Sequence, residues 1–209
     1  MGGSLLSISN KALRRLGIRE LISLQQQGRA AARCRGAVEE IVQELLREHP
    51  FSFATDWGTF ALLAEAPPFG YKYAYQAPVN SMRLIDVRAT KDLRAPRINF
   101  KPVSNGVIYT DASPCYARHV EYNESDLAKA PPDFIKAAAY RLGAEIAVPL
   151  SKSTELANME KLADYYFDRA RLNDAATENE RGQDENRTCT ILAARGYPGY
   201  VGDYPYEEA

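Results

Sequence analysis

Apolar residues recur at spacings of three and four near the two ends of the chain, and at a spacing of two between them. Leu5, Ile8, Ala12 and Leu16 share one face of a predicted helix over 4–16, with Ser4 placed to cap it and Gly17 placed to stop it. Residues 18–27 show no clear period, and Ile22 and Leu24 are available there as plugs into a core. Cys34, Val38, Ile41 and Leu45 form the stripe of a second helix over 29–48, while Glu39, Glu40, Glu44 and Arg47 fall mostly off it. His49-Pro50 ends that helix, because a residue before proline is pushed out of the helical region.

After Pro50 the texture changes. Phe51 and Phe53 alternate as in a strand, and 59–64 can pair with them. Tyr71, Tyr73 and Tyr75 alternate, which predicts three rings on one strand face. Residues 82–88 read as a strand with Met82, Leu84 and Asp86 on one face and Arg83, Ile85 and Val87 on the other. Residues 98–103 and 107–111 flank Asn105-Gly106, a dipeptide that favours the left-handed backbone of a hairpin turn. Residues 115–122 complete the strands, and Trp57 reads as a core residue near the helix–sheet junction. Helical spacing then returns. Pro131-Pro132-Asp133 suits a helix start, and Ile135, Ala138, Leu142 and Ile146 make the stripe. Pro149 breaks it. Ser153 or Thr154 caps a further helix to about Asn179, with Leu156, Met159, Ala163, Tyr166 and Ala170 along its buried edge.

This order predicts an α+β fold. A discontinuous α-helical bundle is built from 1–50 and 131–185, a small antiparallel β lobe is inserted at 51–130, and an extended arm follows at 186–209. The arm is poor in aliphatics and carries Tyr197, Tyr200, Tyr204 and Tyr206, a composition suited to ordering against a partner.

Composition narrows the class without naming a chemistry. Three cysteines in 209 residues exclude a disulfide-dense scaffold and favour reduced thiols in a cytosolic compartment. No apolar run approaches the roughly 20 residues of a membrane span, so no membrane association is expected. The net charge of −1 hides a gradient. Up to Arg35 the chain carries +6 (Lys11, Arg14, Arg15, Arg19, Arg29, Arg33 and Arg35 against Glu20), and from Glu155 onward it carries −6. Such segments can lie against each other or against a neighbouring copy. A nucleic-acid footprint over Lys11 to Arg35 is the alternative.

Candidate chemistry is sparse. Cys115 and His119 fall on one face of a predicted strand, but a nucleophilic pair needs an orienting partner and an activated thiolate. The cysteines and histidines lack zinc spacing, and no phosphate-binding glycine loop or nucleophile elbow is present. The expectation is a structural protein, not an enzyme, with no catalytic, metal or cofactor residues and no cofactor.

Several segments, in order, resemble one family. They are NKALRRLGIRELISL at 10–24, CRGAVEEIVQELLREHPFSFA at 34–54, FGYKYAYQAPVNSMRLIDV at 69–87, NGVIYTD at 105–111 and PPDFIKAAAYRLGAEIAVPLSKS at 131–153. Together they resemble the head-to-tail adaptors of tailed phages, known in short-tailed phages as tail tubular protein A. The likeness covers roughly 10–184. It departs at Phe51, where the family usually has Trp after His-Pro. The resemblance implies a virion protein of the tail or neck, assembled in the host cytoplasm. It would form a homo-oligomeric ring, commonly of twelve copies, beneath the portal protein. The ring would present a platform to the tail nozzle and pass DNA without reading its sequence. The arm, with Arg195, Tyr197, Tyr200, Tyr204 and Tyr206, would dock on the portal. Arg14, Arg15, Arg29 and Arg33 on one side, and Glu160, Asp164 and Asp168 on the other, are the candidate subunit contacts.

Overall fold

The computed structural model describes residues 3–194 apart from 69 and 93. The expected docking residues Arg195, Tyr197, Tyr200, Tyr204 and Tyr206 lie outside the described residues. The fold is mixed α+β, with antiparallel sheets between helical stretches. Two compact units are present, Met1–Arg171 and Leu172–Ala209.

Local chemistry sets the first helix, α1 (Leu5–Arg15). The Ser4 hydroxyl accepts from the Ser7 N–H at 3.1 Å. At the other end Gly17 takes φ +66°. The Gly17 N–H donates to the Arg14 carbonyl and the Ile18 N–H to that of Leu13, a Schellman stop. The segment that follows departs from the pattern: Leu21, not Ile22, is the plug. The Asn10 amide accepts from the Leu21 N–H at 2.8 Å and donates to the Leu21 carbonyl at 2.9 Å. This clamp turns Leu21 inward, and Ile22 is left 89% exposed. Leu24 is half-buried against the core.

Helix α2 (Arg29–Glu48) buries Cys34, Val38, Ile41 and Leu45, the stripe its spacing predicts. Helix α3 (Pro132–Ala147) is buried on nearly every side, and α1 and α2 both pack on it. Its alanines Ala137, Ala138, Ala139 and Ala147 are all inside, which lets neighbouring helices approach closely. At Gly143 an added Cβ would stand 3.3 Å from Met159 Sδ. Met159 belongs to α4 (Leu156–Ala194), whose Met159, Ala163 and Ala170 join the same core. The helix runs well past the expected stop near Asn179, so 186–194 are helical rather than extended. No proline interrupts residues 171–194, after the apolar stripe has ended, so nothing there forces the helix to stop. From Leu172 onward α4 forms the second unit.

Two antiparallel sheets fill 55–121. The first holds β1 (Thr55–Thr59), β7 (Tyr116–Glu121) and β4 (Ser81–Arg88), with β7 in the centre. The second has the order β2 (Ala61–Leu62), β3 (Tyr73–Gln76), β6 (Val107–Thr110), β5 (Phe100–Pro102). Val120 lies in the helical core, while Ala117 and Val87 lie in a second core with Phe60, Tyr75 and Ile108. The three-stranded sheet therefore faces the helices on one side and the four-stranded sheet on the other.

The Asn105-Gly106 hairpin is observed, with φ +61° and +71° and Phe100 opposite Thr110. Other strand expectations are corrected. Phe51 is fully buried ahead of a 3-10 turn, Ser52–Ala54, so the strand begins only at Thr55. Strand β1 pairs with β7, not with a neighbour at 59–64. Tyr71 lies before β3, which leaves Tyr73 and Tyr75 on the strand. In β4 the strict alternation fails, because register shifts fall between Ser81 and Arg83 and between Leu84 and Asp86. A bulge adds one residue to one strand and resets which side chains point inward. Asp86, Val87 and Arg88 are buried in succession because both faces of this sheet are covered there.

Candidate functional site

The candidate contact residues fall in a basic cluster, at the start of α2 and along an acidic stripe of α4. On α1 the spacing of Lys11, Arg14 and Arg15 puts three cations on neighbouring positions of one exposed face. Lys136 reaches the same place from α3. These four, with Ala139 and Tyr140, line a shallow pocket of about 250 Å³. The Arg15 guanidinium sits 5.4 Å over the Tyr140 ring and Lys136 Nζ 5.0 Å over the Tyr166 ring. The two rings stack, with centroids 5.4 Å apart and planes within 4°. Two carboxylates answer this charge: Glu20 meets Arg14 at 2.5 Å and Asp133 meets Lys136 at 3.6 Å. Burial first, and then the nearby Lys136 and Arg14 charges, hold the Lys11 ammonium below the usual lysine range.

Arg29 and Arg33 lie apart from that pocket, exposed in the first turns of α2. This helix start has Gly28 as its cap, no side-chain cap and no acid in its first turn. Cations at the positive end of a helix dipole are unfavourable by about 0.3–1 kcal/mol each. Arg29 also borders a hollow under the clamped loop, together with Ile18, Arg19 and Ile22.

The acids form the second surface. Glu160 and Asp164 lie one turn apart on α4 and line a groove of about 570 Å³ between α2, α3 and α4. Glu44 from α2 and Glu145 from α3 complete its rim. Ile41, Ala144, Val148, Leu156 and Ala163 supply apolar lining. Arg141 also borders the groove, but its Nη1 is held 2.6 Å from Glu48 Oε1. Asp168 continues the stripe beyond the groove and meets Arg171 at 3.6 Å. Sequence reasoning missed Lys136, Glu44 and Glu145. Each lies on a different helix from its companions, so no linear spacing marks it.

The sheets hold the other candidates. Cys115 is fully buried, and burial pushes its thiol up to about 11. His119, on β7, is 3% exposed, with both ring nitrogens buried and without hydrogen-bond partners. Its ring meets Phe60 edge-on at 5.3 Å, and Glu121 Oε2 stands 3.5 Å from Nε2. A thiol raised by burial is not a thiolate at neutral pH, so this pair is not set up for nucleophilic attack.

Trp57 is 37% exposed, not a core residue. It lies on the face of the sheet that carries Arg88, whose guanidinium is 5.5 Å from its ring. Arg88 in turn donates through Nε and Nη2 to Asp86 Oδ2 at 3.0 and 2.9 Å. Its Nη1 donates to the carbonyls of Asp92 and Ala95, which pins the 89–97 loop to the sheet.

No protein-family model matches this chain, and no curated protein matches it either. Among the described residues no cluster of three or more His, Cys, Asp or Glu side chains is placed to hold a metal ion. No helix among them is long and apolar enough to cross a membrane.

Proposed function

We propose that the chain is a structural subunit that tiles side by side into a ring, the head-to-tail adaptor of a tailed phage. The observation that carries this reading is the pairing of a basic surface with an acidic groove in one compact unit, on different helix faces. Lys11, Arg14, Arg15 and Lys136 supply the first, with Arg29 and Arg33 exposed separately at the start of α2, and Glu44, Glu145, Glu160 and Asp164 supply the second. Two different, complementary patches make a heterologous contact, and such contacts close into rings when the rotation allows. In this reading 1–50 and 131–185 act as one helical bundle forming the wall of a channel. The intervening sheets project from it, and the tyrosine-rich segment 195–209 docks on a portal. The resemblance of five ordered segments to phage adaptors supplies the portal, the tail nozzle and the passing DNA as partners.

A second reading has one observation in its favour, the cation cluster at Lys11, Arg14, Arg15 and Lys136. It makes the chain a sequence-independent nucleic-acid binder. Imaging the purified chain alone and mixed with a portal ring tests the first reading: closed rings, or a collar seated on the portal, support it, and isolated single particles in both samples refute it. Titration of short duplex DNA with salt tests the second, whose signature is an affinity that falls steeply as salt rises.

A further inference from the structure

The loop between α1 and α2 holds an apolar side chain out in solvent on a braced backbone. Ile22 is 89% exposed, yet its backbone is braced on both sides. Asn10 clamps Leu21 from below, the Ile22 N–H donates to Gln26 Oε1 at 2.9 Å, and the Gln25 N–H donates to Ser23 Oγ at 3.1 Å. Arg35 Nη1 ties the Leu24 carbonyl to α2 at 3.2 Å. This is a fixed knob, not a loose tip. Around it stand the exposed cations Arg19 and Arg29 and the uncapped positive end of α2, while the acid beside it, Glu20, is paired with Arg14. The acidic groove is its converse: an apolar floor at Ile41, Ala144, Val148 and Leu156, with Glu44, Glu145, Glu160 and Asp164 at the rim. Val148 is 57% exposed there. The knob does not reach the groove of its own chain, because Ile41 lies twelve residues beyond Arg29 along α2, about 18 Å away.

We propose that the Ile22 knob of one copy seats in the α2–α3–α4 groove of a second copy, with Arg19 and Arg29 facing the carboxylate rim. The contact rests on the tiling reading and gives it a residue-level geometry. Apolar burial supplies the anchor at the centre, and charge pairs at the rim fix the direction and exclude the reversed arrangement. Because knob and groove are different patches, each copy uses one of each, and the contact propagates until it closes.

The test uses Ile22→Asp, which spoils the knob, and Val148→Lys, which spoils the groove. Both positions are exposed, so circular dichroism and the urea midpoint are expected to stay at wild-type values. Sedimentation velocity on the full chain is expected to show assemblies for the wild type. Each variant alone is expected to weaken association about thirtyfold, the effect of losing an interface anchor. An equimolar mixture of the two variants keeps one intact contact, the groove of the first with the knob of the second, and is expected to give dimers and nothing larger. Variants that assemble like the wild type, or a mixture that stays monomeric, overturn the contact while leaving tiling in place. A wild type that stays monomeric with and without a portal ring overturns tiling and the contact together.

Discussion

Replacing Arg88 by Met tests the buried ion pair near the end of β4. Asp86 is 3% exposed, and its Oδ2 accepts from Arg88 Nε and Nη2. A second cation, Arg97, has its Nε 3.5 Å away on a side chain that is 76% exposed, and Arg118 stands opposite Asp86 on β7. Asp86 Oδ1 has no hydrogen-bond partner at all. Methionine matches the arginine stem in bulk but takes away the cation that donates two hydrogen bonds to the buried carboxylate. Breaking a buried pair in this way costs about 3–5 kcal/mol. The Nη1 bonds that hold the 89–97 loop at Asp92 and Ala95 are lost as well, at about 1 kcal/mol each. Removing the charge too, in Asp86→Leu/Arg88→Met, is expected to recover most of the loss, because two apolar groups replace a desolvated pair. Trp57 is the only tryptophan and sits under the Arg88 guanidinium. Its fluorescence in urea melts therefore reports this site, and far-UV circular dichroism reports the whole fold. A loss below about 1 kcal/mol for Arg88→Met, or a double variant no more stable than the single one, would refute the argument, since both outcomes deny that the carboxylate is left stranded.

Other outcomes follow from the same packing and charges. Leu142→Ala, at a fully buried position on the central helix, is expected to lose about 2–5 kcal/mol in urea unfolding; a loss under about 0.5 kcal/mol would mean that α3 is not enclosed. Ser4→Ala removes the α1 cap and is expected to cost about 1 kcal/mol by the same assay. The Cys115 thiol has an ordinary value of 9.0 and is raised to about 11 in the fold, so the unfolded chain releases its proton first. Its contribution to stability is intact below pH 9 and is lost as pH rises toward about 11; a Cys115→Ala comparison over that range isolates it. At neutral pH a thiol-selective reagent is expected to leave Cys115 unlabelled until the chain unfolds.

Legibility in the sequence followed the range of the cause. The ends of α1 are decided within a turn of themselves, by the Ser4 hydroxyl and by a Gly17 backbone that side chains disfavour, and both were readable. The Asn105-Gly106 hairpin is local in the same way. Ile22 was misplaced because the decision rests with Asn10, eleven residues earlier, whose amide engages both polar groups of Leu21. Alternation misread β4 because two register shifts against β7 are properties of a strand pair, not of a strand. Trp57 was misread because apolar area argues for burial, while its sheet face carries the Arg88 guanidinium. The candidate contact residues were half legible. Glu160 and Asp164 follow helical spacing on α4, but Glu44 and Glu145 join them only through the packing of three helices.

The central claim is that one copy presents both halves of a contact that closes on itself. Native mass spectrometry of the purified chain, over a range of concentration and salt and with a portal ring added, tests it most directly. A single closed oligomer, or a fixed number of copies on each portal ring, weakening as salt screens the rim charges, is the expected result. A monomer at every concentration that also leaves the portal bare would contradict it.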